Sequence, residues 1–173
     1  EQSQYLDNTC RKLVDAFETA ASYTAASNSQ KSNLAIEFFN IPNEGAVGIS
    51  CSWSKIKGER VFQCNTASKM SLAFYEKDFE ASIQFPATQY TNSHSHRLLV
   101  SVYQNAKLFP QSRVQGNFQV TSSIIGAKIL MPSTMGSIIP KNLSDPIYIV
   151  LRGASFHDDI SLPKPVYWDF DLN

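Results

Sequence analysis

VSVYQNAKLFP (100–110), NLSDPIYIVLR (142–152) and PVYWDFDLN (165–173) decide how this chain is read. Each is a short β-branched or aromatic run bounded by Pro, Asn or Asp, the composition of a strand that meets a turn. The last run stops on aromatic and acidic residues without a closing loop. The expectation is therefore a β-rich domain whose final strands lie past Asn173.

Working outward from these runs, the same period of two recurs upstream. Leu34, Ile36 and Phe38 alternate with Ala35, Glu37 and Phe39, and Val47, Ile49, Cys51 and Trp53 alternate with Gly48, Ser50 and Ser52. Further strand candidates are KMSLAFY (69–75), EASIQF (80–85), RLLVSVYQN (97–105), FQVTSSIIGAKIL (118–130), DPIYIVLR (145–152) and PVYWDF (165–170). Turn signals part them at Pro42-Asn43-Glu44-Gly45, Pro86, TNSHS (91–95), Pro110, Gly116, Pro132 and Gly136. Many short strands with no helical pattern between them predict a mainly β fold, an antiparallel β-sandwich.

Only the head of the chain departs from this. From Leu6 to about Ala26, Leu6, Cys10, Leu13, Val14, Phe17, Ala20 and Ala21 recur at steps of three and four, the stripe of one amphipathic α-helix. Asp7 or Asn8 is the expected cap, and SNSQKSN (27–33) the expected turn that ends it. Arg11, Lys12, Asp15 and Glu18 are assigned to the outer face. The predicted organisation is a helical segment, 1–32, followed by a sandwich, 33–173, and the stripe must pack on that sandwich or on helices upstream.

Composition narrows the function. The chain of 173 residues is 43% hydrophobic, enough for one sizeable core. Fifteen basic and fifteen acidic side chains cancel, so no overall field draws in nucleic acid or an anionic membrane. No run reaches the roughly 18 apolar residues of a membrane helix. EQSQYLDNTC (1–10) has neither the basic start nor the apolar run of a signal peptide.

Cys51 and Cys64 lie in GISCSWSK (48–55) and ERVFQC (59–64), joined by a turn around Gly58. In a hairpin of that length they can face each other within disulfide reach. Such a bond suits an oxidising compartment; the bland alternative is two buried thiols in a cytosolic protein. Cys10 is then left over, and no CxxC or HxxxH spacing offers zinc a site.

The search for chemistry is nearly empty. His94 and His96 flank a serine but lack a third ligand, and read as a solvated loop. His157, Asp158 and Asp159 lie between Gly153 and Pro163 and read as a hairpin tip. Asp169 and Asp171 alternate beside Trp168 and Phe170, with the carboxylates expected in solvent. There is no GxSxG elbow, GxGxxG or P-loop, so neither an enzyme nor a cofactor is predicted. Tyr103, Phe109, Phe118, Tyr148, Tyr167 and Trp168 are assigned to core filling rather than to a binding platform. Asn142-Leu143-Ser144 is a glycosylation sequon at the expected start of a strand, in keeping with a secretory route.

Read in order, these pieces resemble the GAIN domain of adhesion G-protein-coupled receptors. The resemblance rests on the Asn-x-x-Leu-Phe turn (Asn105, Leu108, Phe109), the Ser-Ile-Ile-Gly-Ala strand (123–127), Asn-Leu-Ser-Asp-Pro (142–146, with Asp145 and Pro146) and the Tyr-Trp-Asp-Phe run around Trp168. Thr9-Cys10-Arg11, LAIEFF (34–39), the cysteine hairpin and ASIQFP (81–86) extend it upstream, most like the group A receptors. It implies a twisted sandwich outside the first membrane helix, at the cell surface, completed by C-terminal strands of the same receptor. Self-cleavage in the family needs a His-Leu-Ser/Thr tripeptide beyond Asn173, so no catalytic residue carries over. Pro165-Val166-Tyr167 holds no cysteine where many relatives have one, as in group A. Wnt co-activation or planar polarity is the implied signalling role, with the seven-helix domain and an extracellular protein ligand or co-receptor as partners. Two competing readings are a secreted ligand-binding sandwich using TNSHSH (91–96) and GASFHDD (153–159), and a hydrolase whose His and Asp residues converge only in the fold.

Overall fold

The computed structural model describes residues 2–23, 28–31, 33–41, 45–56, 59–67, 79–86, 97–109, 120–130, 137–138, 143 and 145–153. Among the described residues one helix, α1 (Gln2–Tyr23), precedes nine strands: β1 (Asn28–Lys31), β2 (Leu34–Asn40), β3 (Ala46–Ile56), β4 (Glu59–Ala67), β5 (Phe79–Pro86), β6 (Arg97–Tyr103), β7 (Ile124–Leu130), β8 (Ser137–Ile138) and β9 (Tyr148–Leu151). They form two antiparallel sheets, ordered β1-β2-β6-β7-β8 and β4-β3-β5-β9.

The predicted alternation is what lets the two sheets meet. Ala35, Leu98, Val100, Val102 and Ile129 from the first sheet pack on Val47, Ile49, Cys51, Phe62, Cys64, Ala81, Ile83 and Phe85 from the second. Residues two apart share a face, so β3, β4, β5 and β6 each send an apolar row into this layer, joined by Ala35 from β2 and Ile129 from β7. On the hairpin, register places Cys51 opposite Cys64 and Trp53 opposite Phe62. The cysteines are bonded, S–S 2.04 Å, and both are buried. Beside them the two rings meet edge to face at 5.4 Å. The hairpin is thus stapled covalently and aromatically on its core side.

Three expectations are corrected, and one strand is added. The helix begins at Gln2 rather than Leu6 and is described as far as Tyr23, so Asp7 and Asn8 lie within it and not at its start. Residues 2–5 contain no Gly or Pro to delay the first turn. SNSQKSN is not simply a turn, because β1 pairs its polar residues with β2, Asn28 opposite Glu37 and Lys31 opposite Leu34. A polar strand at a sheet edge carries no hydrophobic period and is invisible to one. Within the expected run 118–130, the described residues from 120 onward are strand only from Ile124, where pairing with Tyr103 begins; past Tyr103 the partner chain bends away. β8 was not anticipated at all, being two residues long. KMSLAFY and PVYWDF lie outside the described residues.

Candidate functional site

Two places in this framework carry chemistry that packing alone does not require. The first is the joint between α1 and the outer face of the first sheet. Cys10 and Val14 point into it, and one helical turn on so does Glu18, which is only 7% exposed. Glu18 was assigned to the outer face; the correction follows from its partners. Ser101 Oγ donates to Glu18 Oε1 at 3.0 Å, Tyr103 OH reaches the same oxygen at 3.5 Å, and Lys128 Nζ lies 2.5 Å from Oε2. A buried carboxylate is tolerated when it is paired and hydrogen-bonded in this way. Asp15 extends the cluster at the surface, 3.8 Å from both Lys128 and Arg11.

Small residues make the room. Gly126 stands opposite Ser101 in the β6–β7 register. A Cβ there would come within 2.6 Å of Ser101 Oγ and 3.5 Å of Glu18 Oε1. The glycine of the Ser-Ile-Ile-Gly-Ala strand is therefore a cradle for the carboxylate.

The Asn-x-x-Leu-Phe turn completes the joint. Asn105 Oδ1 accepts from Lys107 N at 3.1 Å, and Phe109 N donates to Ala106 O at 2.9 Å. This tight local turn folds the chain back so that Leu108 and buried Phe109 pack with Val14, Tyr103, Leu34 and Ile124. Tyr103 and Phe109 meet edge to face at 5.0 Å.

Energetics favour reading this joint as a specifier of register more than a source of stability. Between Thr9 and Ala20 the helix buries Cys10 and Val14, while Leu13 and Phe17 remain 43% and 41% exposed. A fully buried valine contributes about 1.5–3 kcal/mol, against about 1–2 kcal/mol of backbone entropy for each residue ordered. The Glu18–Lys128 attraction is offset by desolvation and, on the lysine side, screened by solvent.

Burial, and then the neighbouring Glu18 carboxylate, raise the Tyr103 phenol above its ordinary 10.0. The folded protein thus keeps a proton that the unfolded chain releases above about pH 10. Stability from this group is complete below that pH and should fall as pH rises past it. Alkaline unfolding of Tyr103→Phe, followed by circular dichroism, should lose that dependence; an unchanged slope would exclude it.

The second place is β9. It pairs with β5, Ile149 opposite Ile83 and Leu151 opposite Ala81. Ile83 and Ala81 are sealed in the core, yet Ile149 is 56% and Leu151 43% exposed, and Tyr148 is 50% exposed on the other face. The core row thus continues onto a strand where its side chains stand about half exposed. Tyr148 was expected in the core and is not there. Leu143 and Ile147 lean on the core just before this strand, and Asp145 and Pro146 are exposed between them.

Asn142, Trp168, His94, His96, His157, Asp158, Asp159, Asp169 and Asp171 lie outside the described residues, as do the TNSHSH loop and most of GASFHDD. Among the described residues no group of His, Cys, Asp and Glu is placed to hold a metal ion, and no helix is long and apolar enough to cross a membrane. Cys10 is a buried free thiol.

Comparison with known proteins agrees with this geometry. The full extracellular region of zebrafish Gpr126/Adgrg6 superposes with a TM-score of 0.67 at 17% identity, a likeness of fold. The match covers 98% of this chain and 22% of that one, so the chain spans about a fifth of the length of that structure. No curated protein matches the chain. The family model described as GPS: GAIN subdomain B matches residues 54–173, well over half of the sequence. The chain therefore belongs to the GAIN subdomain B family.

Proposed function

We propose that this chain is the membrane-proximal sandwich of an adhesion G-protein-coupled receptor. In this reading it holds a later strand of the same receptor against β9 and so governs when that segment meets the seven-helix domain. The half-exposed Ile149 and Leu151, in line with the sealed Ala81 and Ile83, carry the reading. A strand laid on that margin would cover both side chains and pair backbone groups at the sheet edge, gaining roughly 2–3 kcal/mol from apolar burial. The organisation that goes with it is a helical segment, 1–32, and a sandwich, 33–173, on the extracellular side of the cell surface. Asn142 serves as a glycan acceptor there, and an extracellular protein ligand or co-receptor is the outside partner. Group A membership, with Wnt co-activation or planar polarity as the output, rests on the Thr9-Cys10-Arg11 and Pro165-Val166-Tyr167 resemblances.

The test compares a chain ending at Asn173 with one carrying the residues that follow in the receptor. Amide exchange over Tyr148–Leu151 should be fast in the shorter chain and slow in the longer. The shorter chain should also self-associate, and Ile149→Lys/Leu151→Lys should abolish that. Equal protection of β9 in both chains would sink the proposal.

A further inference from the structure

We infer that the Glu18 carboxylate is a latch by which α1 docks on, and releases from, an otherwise intact sandwich as one unit. Three observations converge on it. The helix uses only part of its apolar stripe between Thr9 and Ala20, leaving Leu13 and Phe17 half exposed, so the buried apolar contact there comes from Cys10 and Val14. The polar contacts of Glu18 are specific and come from two strands: Ser101 and Tyr103 on β6, and Lys128 on β7. The sheet is shaped to receive it, because Gly126 leaves open the volume that any side chain would fill. The charged and titratable groups around the latch are Lys128 and Tyr103 from the sheet and Asp15 and Arg11 from the helix, with Asp15 bridging the two cations.

The two strands that grip Glu18 on their outer face also supply Val100, Val102 and Ile129 to the core on their inner face. Docking of the helix is therefore felt by the strands at the centre of the first sheet. Release needs no break in the sandwich, since the Cys51–Cys64 hairpin and the β3–β5–β9 pairings lie in the other sheet.

Hydrogen exchange read by mass spectrometry on the full chain tests this. Lys128→Met strands a buried carboxylate without its cation and should speed exchange across α1 by roughly a hundredfold, with β3, β4 and β5 unchanged. Adding Glu18→Gln to that variant removes the stranded charge and keeps an oxygen that accepts from Ser101, and should return α1 part of the way to the parent rate, the remainder being the lost pair with Lys128. Glu18→Gln alone should have the smaller effect, because Lys128 is 44% exposed and can turn to solvent or Asp15. The latch is overturned if α1 keeps its protection in Lys128→Met. It is equally overturned if the helix and the hairpin accelerate together, or if the double variant exchanges as fast as Lys128→Met or faster.

Discussion

Replacing both bridged cysteines, Cys51→Ala/Cys64→Ala, should lower the unfolding free energy by about 3–5 kcal/mol. The bond closes a separation of 13 residues, for which loop-closure entropy alone gives roughly 3 kcal/mol. Both side chains also sit in the main core, at 0% and 6% exposure, so trimming their sulfurs leaves small voids that add to the loss. Hairpin register should survive, because the Trp53–Phe62 pair and the buried Ile49 still select the same faces. The variant should therefore fold to the same structure with a lower urea midpoint. Its transition should also be steeper, because the unbridged denatured chain exposes more surface. Urea titration of the variant beside the parent measures both changes. A loss under about 1 kcal/mol would mean that packing, and not the bridge, holds the second sheet together.

The hairpin is also where the sequence was most legible. Cys51 and Cys64 alternate with small polar residues in strands joined by a connection short enough to leave few registers, and period-two reasoning needs no more than that. The same reasoning finds β2, β5 and β6, whose buried residues are mostly aliphatic or aromatic. It fails where a residue's chemistry and its position disagree. Cys10, Val14 and Glu18 form one helical row, but a hydrophobicity pattern prefers Leu13 and Phe17 and sends the carboxylate to solvent. The missing information sits on another part of the chain. Ser101 interrupts an aliphatic strand, Gly126 interrupts the next, and Lys128 follows two residues later. A polar residue, a gap and a cation at paired positions mark a site prepared for a buried anion. That signal appears only after the β6–β7 register is known. β9 was legible as a strand and illegible as a margin, because Tyr148, Ile149 and Leu151 are the residue types of a core strand while their burial depends on what lies beside them.

Gly126→Ala isolates that prepared site with one methyl group. Two effects oppose each other. Replacing glycine restricts the unfolded chain and favours folding by about 0.4–1 kcal/mol where the backbone accepts it. Against this, the new Cβ would lie 2.6 Å from Ser101 Oγ, closer than real contacts allow, so the hydroxyl must leave its rotamer or the strands must part. Overpacking costs about 1–3 kcal/mol, and losing the hydroxyl's bond to the Glu18 carboxylate adds about 1.5–3 kcal/mol. Destabilisation wins, by about 2–4 kcal/mol net. Ser101→Ala alone loses the hydrogen bond but not the fit, for about 1.5–3 kcal/mol. With Ser101 already alanine the clashing atom is gone, and the remaining contact of the new methyl, 3.5 Å to Glu18 Oε1, is an ordinary one. Gly126→Ala/Ser101→Ala should therefore be about as stable as Ser101→Ala, a coupling of about 2–4 kcal/mol in the double-mutant cycle, the full cost of Gly126→Ala alone. Denaturant melts of the four proteins decide it. Simple additivity would show that Gly126 serves the backbone of β7 and not the carboxylate lying over it.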